Sequence, residues 1–284
     1  MKYDPAMPMT PGLDQQAFAS RVSLMRTLAD RAGTVAMRHF QSISLSVHTK
    51  SDASPVTEAD LEIESLLRSE IRADFPNDGL LGEEHGAENG TSGYRWVIDP
   101  IDGTISFAAG VPLFGTLIGL EFTRGETREV VAGICAMPAL GESVWAARGR
   151  GAWWERNGPN GATHRTEARV RAAVPLAEAL VCTSGLEYFE RAGRTDALVA
   201  VARAARRIRG WSDCYGGMLV ATGRADAWFD PVMNPWDSGP FPVIVEEAGG
   251  VFTDWHGRAD IHGGSAVAAA PGLHSELLGL IRQA

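Results

Sequence analysis

The sequence has few cysteines, no long hydrophobic run and a shortage of basic residues. Its three cysteines, Cys135, Cys182 and Cys214, are odd in number and unpatterned, which argues against a disulfide framework or a zinc motif and fits a reducing compartment. No stretch approaches the roughly 20 apolar residues that a membrane-spanning helix needs, and residues 1–12 lack the apolar core of a signal peptide. We therefore expect a cytoplasmic protein.

The charge balance is acidic, with 35 Asp and Glu against 26 Lys and Arg and a formal net charge of -9. Surfaces that bind nucleic acid or anionic membranes gain from basic residues, so we expect neither partner. The length of 284 residues and the hydrophobic content of 45% are typical of a globular protein with one large or two smaller domains. The absence of G-x-S-x-G, P-loop and Cys-His patterns argues against serine hydrolases, P-loop kinases and thiol enzymes.

The first half of the chain begins with helical periodicity and then changes to short apolar runs. Spacing near 3.6 residues predicts helices over Gln15–Phe40 and Glu58–Phe75. The apolar positions of the second helix are Leu61, Ile63, Leu66, Leu67 and Ile71. Short runs separated by glycines and charged turns between about 80 and 154 predict strands of one sheet. We assign residues 1–157 to an N-terminal α+β part with a mainly antiparallel sheet.

The second half alternates apolar runs with helical segments. We predict helices over about Arg194–Arg207, Cys214–Thr222 and Trp236–Ala248. Alternation of this kind indicates an α/β arrangement with a largely parallel sheet. We assign residues 158–284 to this C-terminal part, packed with the first half as one body.

Two aspartates follow an apolar run in "WVIDPIDGTISF", Trp96–Phe107. The run delivers Asp99 at a strand end, Pro100 fixes the chain direction, and Asp102 follows after one more residue, so both carboxylates can converge on one point. In an apolar setting they would repel each other, and one would hold a proton. A divalent cation removes that conflict, and hard oxygen ligands select magnesium or manganese over zinc.

Two further acidic patches follow the same pattern. "LLGEEHG" places Glu83 and Glu84 directly after an apolar run, and "NPWDSG" places Asp237 at a helix start. Taken singly, Glu84 reads as a solvated loop charge and Asp237 as an acidic residue favoured by the helix dipole. Their combination with "DPIDGT" favours a shared metal site.

These motifs, in this order and spacing, resemble the inositol monophosphatase family. The matching stretches are "GEE" at 82–84, "DPIDGTISF" at 99–107 and "WDSGPFPVIVEEAGGVFTD" at 236–254. The resemblance spans most of the chain, from "SPVTEAD" to "HGGSAVAAAPG". It implies an α/β (α+β) fold, a layered αβαβα sandwich of the inositol monophosphatase and fructose-1,6-bisphosphatase type. It also implies a magnesium-dependent phosphomonoesterase that forms a homodimer and acts on a small phosphorylated substrate.

The resemblance implies a set of metal ligands. Glu83, Asp99 and the backbone carbonyl of Ile101 match the ligands of a first ion. Asp99, Asp102 and Asp237 match those of a second. Asp99 would bridge the two. The implied cofactor is Mg²⁺, as two or three ions, with Mn²⁺ as a possible substitute.

The resemblance also implies catalytic and phosphate-binding residues. Asp60, which closes "TEAD", corresponds to the aspartate that works with Thr104 to orient the attacking water. Glu83 would also help to hold a third ion. The N–H groups of Gly103 and Thr104, at an expected helix start, are placed to bind phosphate oxygens.

Within the family, the second half is most similar to the histidinol-phosphate phosphatase branch. The shared stretches are "DCYG", "DPVMNPWD" and "EEAGGVFTDWHG". Asp213 and Asp230 then fall where the family contacts the organic part of the substrate, and two carboxylates suit a cationic amine and imidazolium. The alternative is structural: Asp213 caps the helix that follows and Asp230 lies in a proline turn.

Three functions follow from the residues and the resemblance. We expect hydrolysis of L-histidinol phosphate, a step of histidine biosynthesis. The second reading is an inositol 1-phosphate or broad sugar-phosphate phosphatase. Ile105 and Ala108–Ala109 depart from the family pattern, since many relatives have polar, basic or bulkier residues there, and this departure concerns specificity and not the metal chemistry. The third is an inactive relative that serves as a binding or scaffold protein, which the complete ligand set argues against.

Overall fold

The structure is a computed structural model of the chain. It describes residues 14–42, 47–49, 55–158, 161–211 and 213–284. The N-terminal residues 1–12 considered above lie outside the described residues.

The described residues form nine α-helices and fifteen strands. The helices are α1 (Gln15–His39), α2 (Glu58–Asp74), α3 (Thr104–Ala108), α4 (Leu186–Arg191), α5 (Thr195–Ala204), α6 (Asp213–Ala221), α7 (Pro235–Ser238), α8 (Phe241–Glu247) and α9 (Pro271–Gln283). The strands are β1 (Val47–Thr49), β2 (Pro55–Thr57), β3 (Gly79–Gly82), β4 (Gly86–Glu88), β5 (Tyr94–Asp102), β6 (Gly115–Arg124), β7 (Thr127–Met137), β8 (Glu142–Ala147), β9 (Ala152–Asn157), β10 (Thr163–Glu167), β11 (Leu180–Thr183), β12 (Arg207–Gly210), β13 (Ala227–Asp230), β14 (Val251–Thr253) and β15 (Ala266–Ala269).

The two long N-terminal helices lie where the periodicity predicts them, to within one residue at each end. Asp14 caps α1, because its Oδ1 accepts hydrogen bonds from Gln16 N at 2.9 Å and Ala17 N at 3.1 Å. In α2, the side chain of the apolar residue Leu61 is exposed, while that of Glu64 is fully buried. The buried face of α2 therefore includes a carboxylate that the apolar pattern assigns to the surface.

The first sheet has eight strands in the order β10-β9-β8-β7-β6-β5-β3-β4. Its neighbouring strands are antiparallel except for the parallel pair β3 and β5. Strand β10 follows the boundary predicted at 157/158 and still pairs with β9 in this sheet. The division into two parts at that position stays a prediction.

The second sheet has five strands in the order β12-β11-β13-β15-β14. The prediction of a largely parallel sheet applies to β12, β11 and β13 only, because β15 and β14 pair antiparallel. The connection between β14 and β15, residues 254–265, contains no helix. Without a crossover helix the chain reverses, and a reversal gives an antiparallel pair.

Two of the predicted C-terminal helices have different bounds. The helix expected over Trp236–Ala248 is interrupted between α7 and α8 at Gly239 and Pro240. Proline lacks the N–H that a continuous helix needs at this position. The helix expected over Arg194–Arg207 ends at Ala204, and Arg207 is the first residue of the edge strand β12.

Five layers stack across the molecule. Helices α1 and α2 cover one face of the first sheet, α6 and α8 lie between the two sheets, and α5 and α9 cover the outer face of the second sheet. Three clusters of buried apolar side chains fill the spaces between these layers. This arrangement confirms the predicted αβαβα sandwich. None of the helices in the described ranges is both long enough and apolar enough to span a bilayer.

Two glycines let the central helical layer approach the first sheet closely. Gly119 on β6 and Gly133 on β7 are cross-strand partners. A Cβ on Gly119 would lie 2.5 Å from the carbonyl oxygen of Gly239, and one on Gly133 would lie 2.6 Å from Pro240 Cα. The junction between α7 and α8 therefore rests directly on the backbone of the sheet.

We expect Gly133→Ala to lower the free energy of unfolding by about 1–3 kcal/mol, since the added methyl meets backbone atoms that cannot move aside cheaply. Gly279→Ala in α9 is the matched control, because a Cβ there has no neighbour within 4 Å. That substitution should stabilise the protein by about 0.5–1 kcal/mol through helix propensity. Urea unfolding measures both. Equal stability of the two variants would contradict the close approach.

Candidate functional site

Three carboxylates converge at the end of β5. Among the described residues, Asp99, Asp102 and Asp237 each offer an oxygen, and these oxygens lie within 4.8 Å of one another. Asp99 pairs with Leu117 and Asp102 with Gly115, so three steps along β5 oppose two steps along β6. An extra residue of this kind is a bulge, and it brings side chains of odd spacing to the same face. The sequence predicts this convergence correctly.

Burial and mutual repulsion dominate the electrostatics of the three aspartates. Burial raises the pKa of Asp99, and the charges of Glu83, Asp102 and Asp237 raise it further. Burial likewise raises the pKa of Asp102 and raises that of Asp237 to about 7. At neutral pH the cluster therefore needs protons or a cation to relieve its charge.

The cluster fits a hard divalent cation. All of the atoms that could ligate a metal here are carboxylate oxygens, which magnesium and manganese prefer. Asp99 Oδ1 is buried and has no hydrogen-bond partner among the residues that the structure describes. A buried carboxylate oxygen without a donor is costly unless a cation contacts it.

Backbone donors orient the other two carboxylates. Cys214 N, near the start of α6, donates to Asp102 Oδ2 at 2.6 Å. Asn234 N donates to Asp237 Oδ2 at 2.7 Å, which completes a capping box at the start of α7. The sequence analysis does not identify either donor, although "NPWD" carries the spacing of a capping box.

The two remaining candidate ligands, Glu83 and Ile101, line the same cleft as the three aspartates. Glu83 follows β3, and its N–H donates to Ile98 O at 3.2 Å. The Ile101 carbonyl accepts from Thr104 Oγ1 at 3.0 Å. The structure thus brings all five candidate ligands together, while their metal-binding roles stay predictions.

The predicted catalytic residues lie beside this cluster. Asp60 is buried, and its charge contributes to the raised pKa of Asp99. Its Oδ2 also accepts from Thr57 N at 2.8 Å and Thr57 Oγ1 at 2.6 Å, which completes the capping box of α2. Gly103 adopts φ 81° and precedes Thr104, the first residue of α3. That backbone conformation favours glycine and starts the helix at the cleft.

Asp213 lies where a substrate could reach it. It is the first residue of α6 and lines the cleft. Its charge raises the pKa of Asp102, so the two carboxylates are close enough to repel.

Asp230 is placed differently, since only 1% of its surface is exposed. Its Oδ1 accepts from Thr183 Oγ1 at 2.9 Å, Ser184 N at 2.7 Å and Ser184 Oγ at 2.6 Å. Its Oδ2 accepts from Trp228 Nε1 at 2.6 Å. Asp230 therefore holds Ser184 at the cleft wall, and its own contact with a substrate stays a prediction.

Helix α4 adds residues that the sequence analysis does not single out. Glu187, Tyr188 and Arg191 line the cleft, whose volume is about 410 Å³. Burial raises the pKa of Tyr188, and the charges of Asp213 and Asp102 raise it further, so its hydroxyl lies near those carboxylates. The sequence of α4 contains no motif that indicates a functional role, because its residue spacing is that of an ordinary surface helix.

A mostly apolar cavity of about 650 Å³ adjoins the cleft. The two share Ile105, Ser184, Glu187, Tyr188 and Asp213. The apolar part is lined by Ile105, Leu186, Leu198, Val199, Ala202 and Ile208. Ile105, the residue that departs from the family pattern, is 57% exposed at this boundary.

Comparison with known proteins agrees with the fold and the motifs. The model of the inositol monophosphatase family matches residues 20–284. A histidinol-phosphatase from Chlorobaculum parvum is 41% identical over 88% of this chain and 91% of its own length. A histidinol-phosphatase from Streptomyces coelicolor is 38% identical over 92% of this chain and 96% of its own.

A solved structure gives the same result for the fold. The extragenic suppressor protein suhB from Bartonella henselae superposes with a TM-score of 0.81 at 27% identity. The match covers 93% of this chain and 99% of that one. The chain therefore belongs to the inositol monophosphatase family and is a phosphoric monoester hydrolase.

Proposed function

We propose that this protein is a magnesium-dependent phosphatase that hydrolyses L-histidinol phosphate to L-histidinol and phosphate. The observation that carries the proposal is the order of chemical environments along the cleft. The acidic cluster lies at one end, Asp213 and Glu187 lie at the shared boundary, and the apolar cavity lies beyond them. The substrate has the same order: a phosphate, an ammonium group and a heteroaromatic ring. The two histidinol-phosphatase relatives support the same choice.

The metal part of the proposal assigns one site to Glu83, Asp99 and the Ile101 carbonyl, and a second to Asp99, Asp102 and Asp237. Two observations support it: Asp99 Oδ1 has no hydrogen-bond partner in the described part of the chain, and the pKa values of Asp99 and Asp237 are raised. Two or three Mg²⁺ ions, or Mn²⁺, suit this oxygen set. A divalent cation held here supplies Lewis acidity, which makes water more acidic and screens the charge of the phosphate.

The protein residues then position the water and the phosphate. Asp60 and Thr104 orient the attacking water, and Asp60 receives its proton. Asp60 is held rigidly for this task by Thr57. The N–H groups of Gly103 and Thr104 bind phosphate oxygens, because the first N–H groups of a helix have no partner within it.

The organic part of the substrate occupies the boundary between the two cavities. Asp213 and Glu187 pair with the ammonium group, and the ring packs against Ile105 and Tyr188. Asp230 contributes indirectly by holding Ser184. The family resemblance further predicts a homodimer acting in histidine biosynthesis, and the sequence composition predicts a cytoplasmic location; these points stay predictions.

A second candidate is a phosphatase for inositol 1-phosphate or other sugar phosphates. Arg191 lines the same cleft, and its guanidinium would bind the hydroxyl groups of a neutral polyol while offering nothing to an ammonium group. An inactive binding protein is not favoured, because the site retains every candidate ligand.

The substrate assignment is tested by phosphate release with Mg²⁺, comparing L-histidinol phosphate with myo-inositol 1-phosphate. We expect kcat/KM to be about 100-fold higher for histidinol phosphate, equivalent to about 3 kcal/mol. Asp213→Asn should reduce kcat/KM for histidinol phosphate by roughly 10-fold or more and affect inositol phosphate less. Asp74→Asn, at the end of α2 distant from Asp60, serves as the control. Equal preference for the two substrates would favour the second candidate.

The metal assignment predicts the behaviour of Asp99→Asn. Activity should fall by more than about 100-fold, since residues that only support metal ligands already change activity by 10–100-fold. The metal-free variant should melt at a higher temperature than metal-free wild type at pH 8, because one of the repelling charges is gone. Calorimetry in EDTA measures the second effect. A variant that keeps most of its turnover would contradict the shared-ligand role.

The raised pKa values predict that Mg²⁺ stabilises the protein more at pH 8 than at pH 5. In the metal-free folded state these carboxylates hold protons that the unfolded chain has already lost. Stability therefore falls as pH rises from the ordinary aspartate range towards about 7, the pKa of Asp237. Mg²⁺ relieves the repulsion at pH 8 but competes with protons at pH 5.

The measurement is the rise in Tm on adding Mg²⁺, taken against an EDTA sample at each pH. At a concentration 100 times Kd the stabilisation should reach about 2.7 kcal/mol at pH 8. An equal rise in Tm at both pH values would show that the carboxylates with raised pKa values do not bind Mg²⁺.

A further inference from the structure

Helix α2 carries a buried ion pair whose position is unusual. Glu64 and Arg68 are four residues apart on the helix, and Arg68 Nε lies 2.7 Å from Glu64 Oε1. Both side chains are almost completely buried. Burying a charged pair seldom adds stability compared with apolar side chains. Packing alone therefore does not explain why this ion pair is buried.

The carboxylate of Glu64 binds the turn that follows Glu83. Glu64 Oε2 accepts from Glu84 N at 2.7 Å, and Oε1 accepts from His85 N at 3.1 Å. On the other side of Glu83, a Cβ on Gly82 would overlap the Glu64 carboxylate. Glycine at position 82 thus allows the carboxylate to lie against the backbone of the turn.

Arg68 extends the same contact to the next strand. Its Nη1 donates to Glu88 Oε1 at 2.8 Å, and its Nη2 donates to the carbonyl of Gly86. Together, Glu64 and Arg68 bind the backbone or side chains of residues 84, 85, 86 and 88. The charged groups of Glu64 and Arg68 therefore attach the turn that carries Glu83 to α2.

We propose that Glu64 and Arg68 are positioning residues that hold Glu83 in its metal-binding position. Asp60 lies one helical turn before Glu64 on α2, so the same rigid helix also fixes the residue that orients the attacking water. The two groups keep their relative position because one element carries both. Groups that support a ligand in this way tune metal affinity strongly.

Glu64→Gln is the direct test. Both oxygens of Glu64 accept hydrogen bonds, so either orientation of the glutamine amide sets its NH₂ against a donor. We expect the Kd for Mn²⁺, measured by electron paramagnetic resonance on the free ion, to rise about 10-fold or more. We also expect kcat to fall while KM for the phosphate ester changes little.

Asp254→Asn is a closely matched control. Asp254 is also a buried carboxylate that accepts from a backbone N–H, Arg258 N at 2.8 Å, and from an arginine four residues on, Arg258 Nε at 2.7 Å. It also lies against a glycine, Gly263. It does not line the cleft. This variant should lower Tm and leave the Kd for Mn²⁺ unchanged.

Arg68→Lys provides a second variant in case Glu64→Gln does not fold. It keeps a positive charge beside Glu64 but loses the planar fork that reaches Gly86 and Glu88. A smaller rise in the Kd for Mn²⁺ is expected. Wild-type Kd values in the folded variants, or an equal loss in Asp254→Asn, would overturn the proposal.

The positioning role rests on the proposed metal site, and Mn²⁺ binding distinguishes failure of the metal assignment from failure of the positioning role. If wild-type protein does not bind Mn²⁺, the metal assignment itself is wrong. If wild type binds and Glu64→Gln binds equally well, only the positioning role is wrong.

Discussion

Repulsion among buried carboxylates is the constraint on which this structure depends. Two like charges about 4 Å apart repel by about 4 kcal/mol at the effective dielectric of a protein. The net stability of a domain is only about 5–15 kcal/mol, so the close approach of Asp99, Asp102 and Asp237 is a large local penalty. Such a cluster persists only when rigid structure around it prevents the side chains from moving apart.

The chain supplies that rigidity through backbone contacts from several elements. A bulge in β5 turns Asp99 and Asp102 to one face, and Cys214 N holds the second of them. The glycine pair Gly119 and Gly133 lets the junction of α7 and α8 rest on the sheet, which brings Asp237 to the same point. Each contact joins residues far apart in sequence, so the site forms only when the first sheet and the helical layer on it are assembled.

Local sequence signals predict part of this site well. Apolar periodicity identifies α1 and α2, and the motifs around Asp99 and Asp237 identify the acidic cluster, because short-range spacing determines both. Periodicity does not identify the burial of Glu64, because that burial depends on its contact with the turn after β3.

Long-range effects limit the prediction elsewhere. The antiparallel pairing of β13, β15 and β14 depends on how the C-terminal segments meet in the folded sheet. The role of Asp230 could not be predicted either, since Thr183, Ser184 and Trp228 surround it only in the folded sheet.

The electrostatics of the cluster also bear on the choice of substrate. Asp213 belongs to the same field of negative charge, because it raises the pKa of Asp102. A divalent cation held by the aspartates would offset part of this charge, and an ammonium group beside Asp213 would offset a further part. A neutral polyol carries no positive charge, so it would leave the negative field around Asp213 and Asp102 unchanged. The repulsion that favours a metal at one end of the cleft therefore also favours a cationic group next to it, which is the arrangement that histidinol phosphate provides.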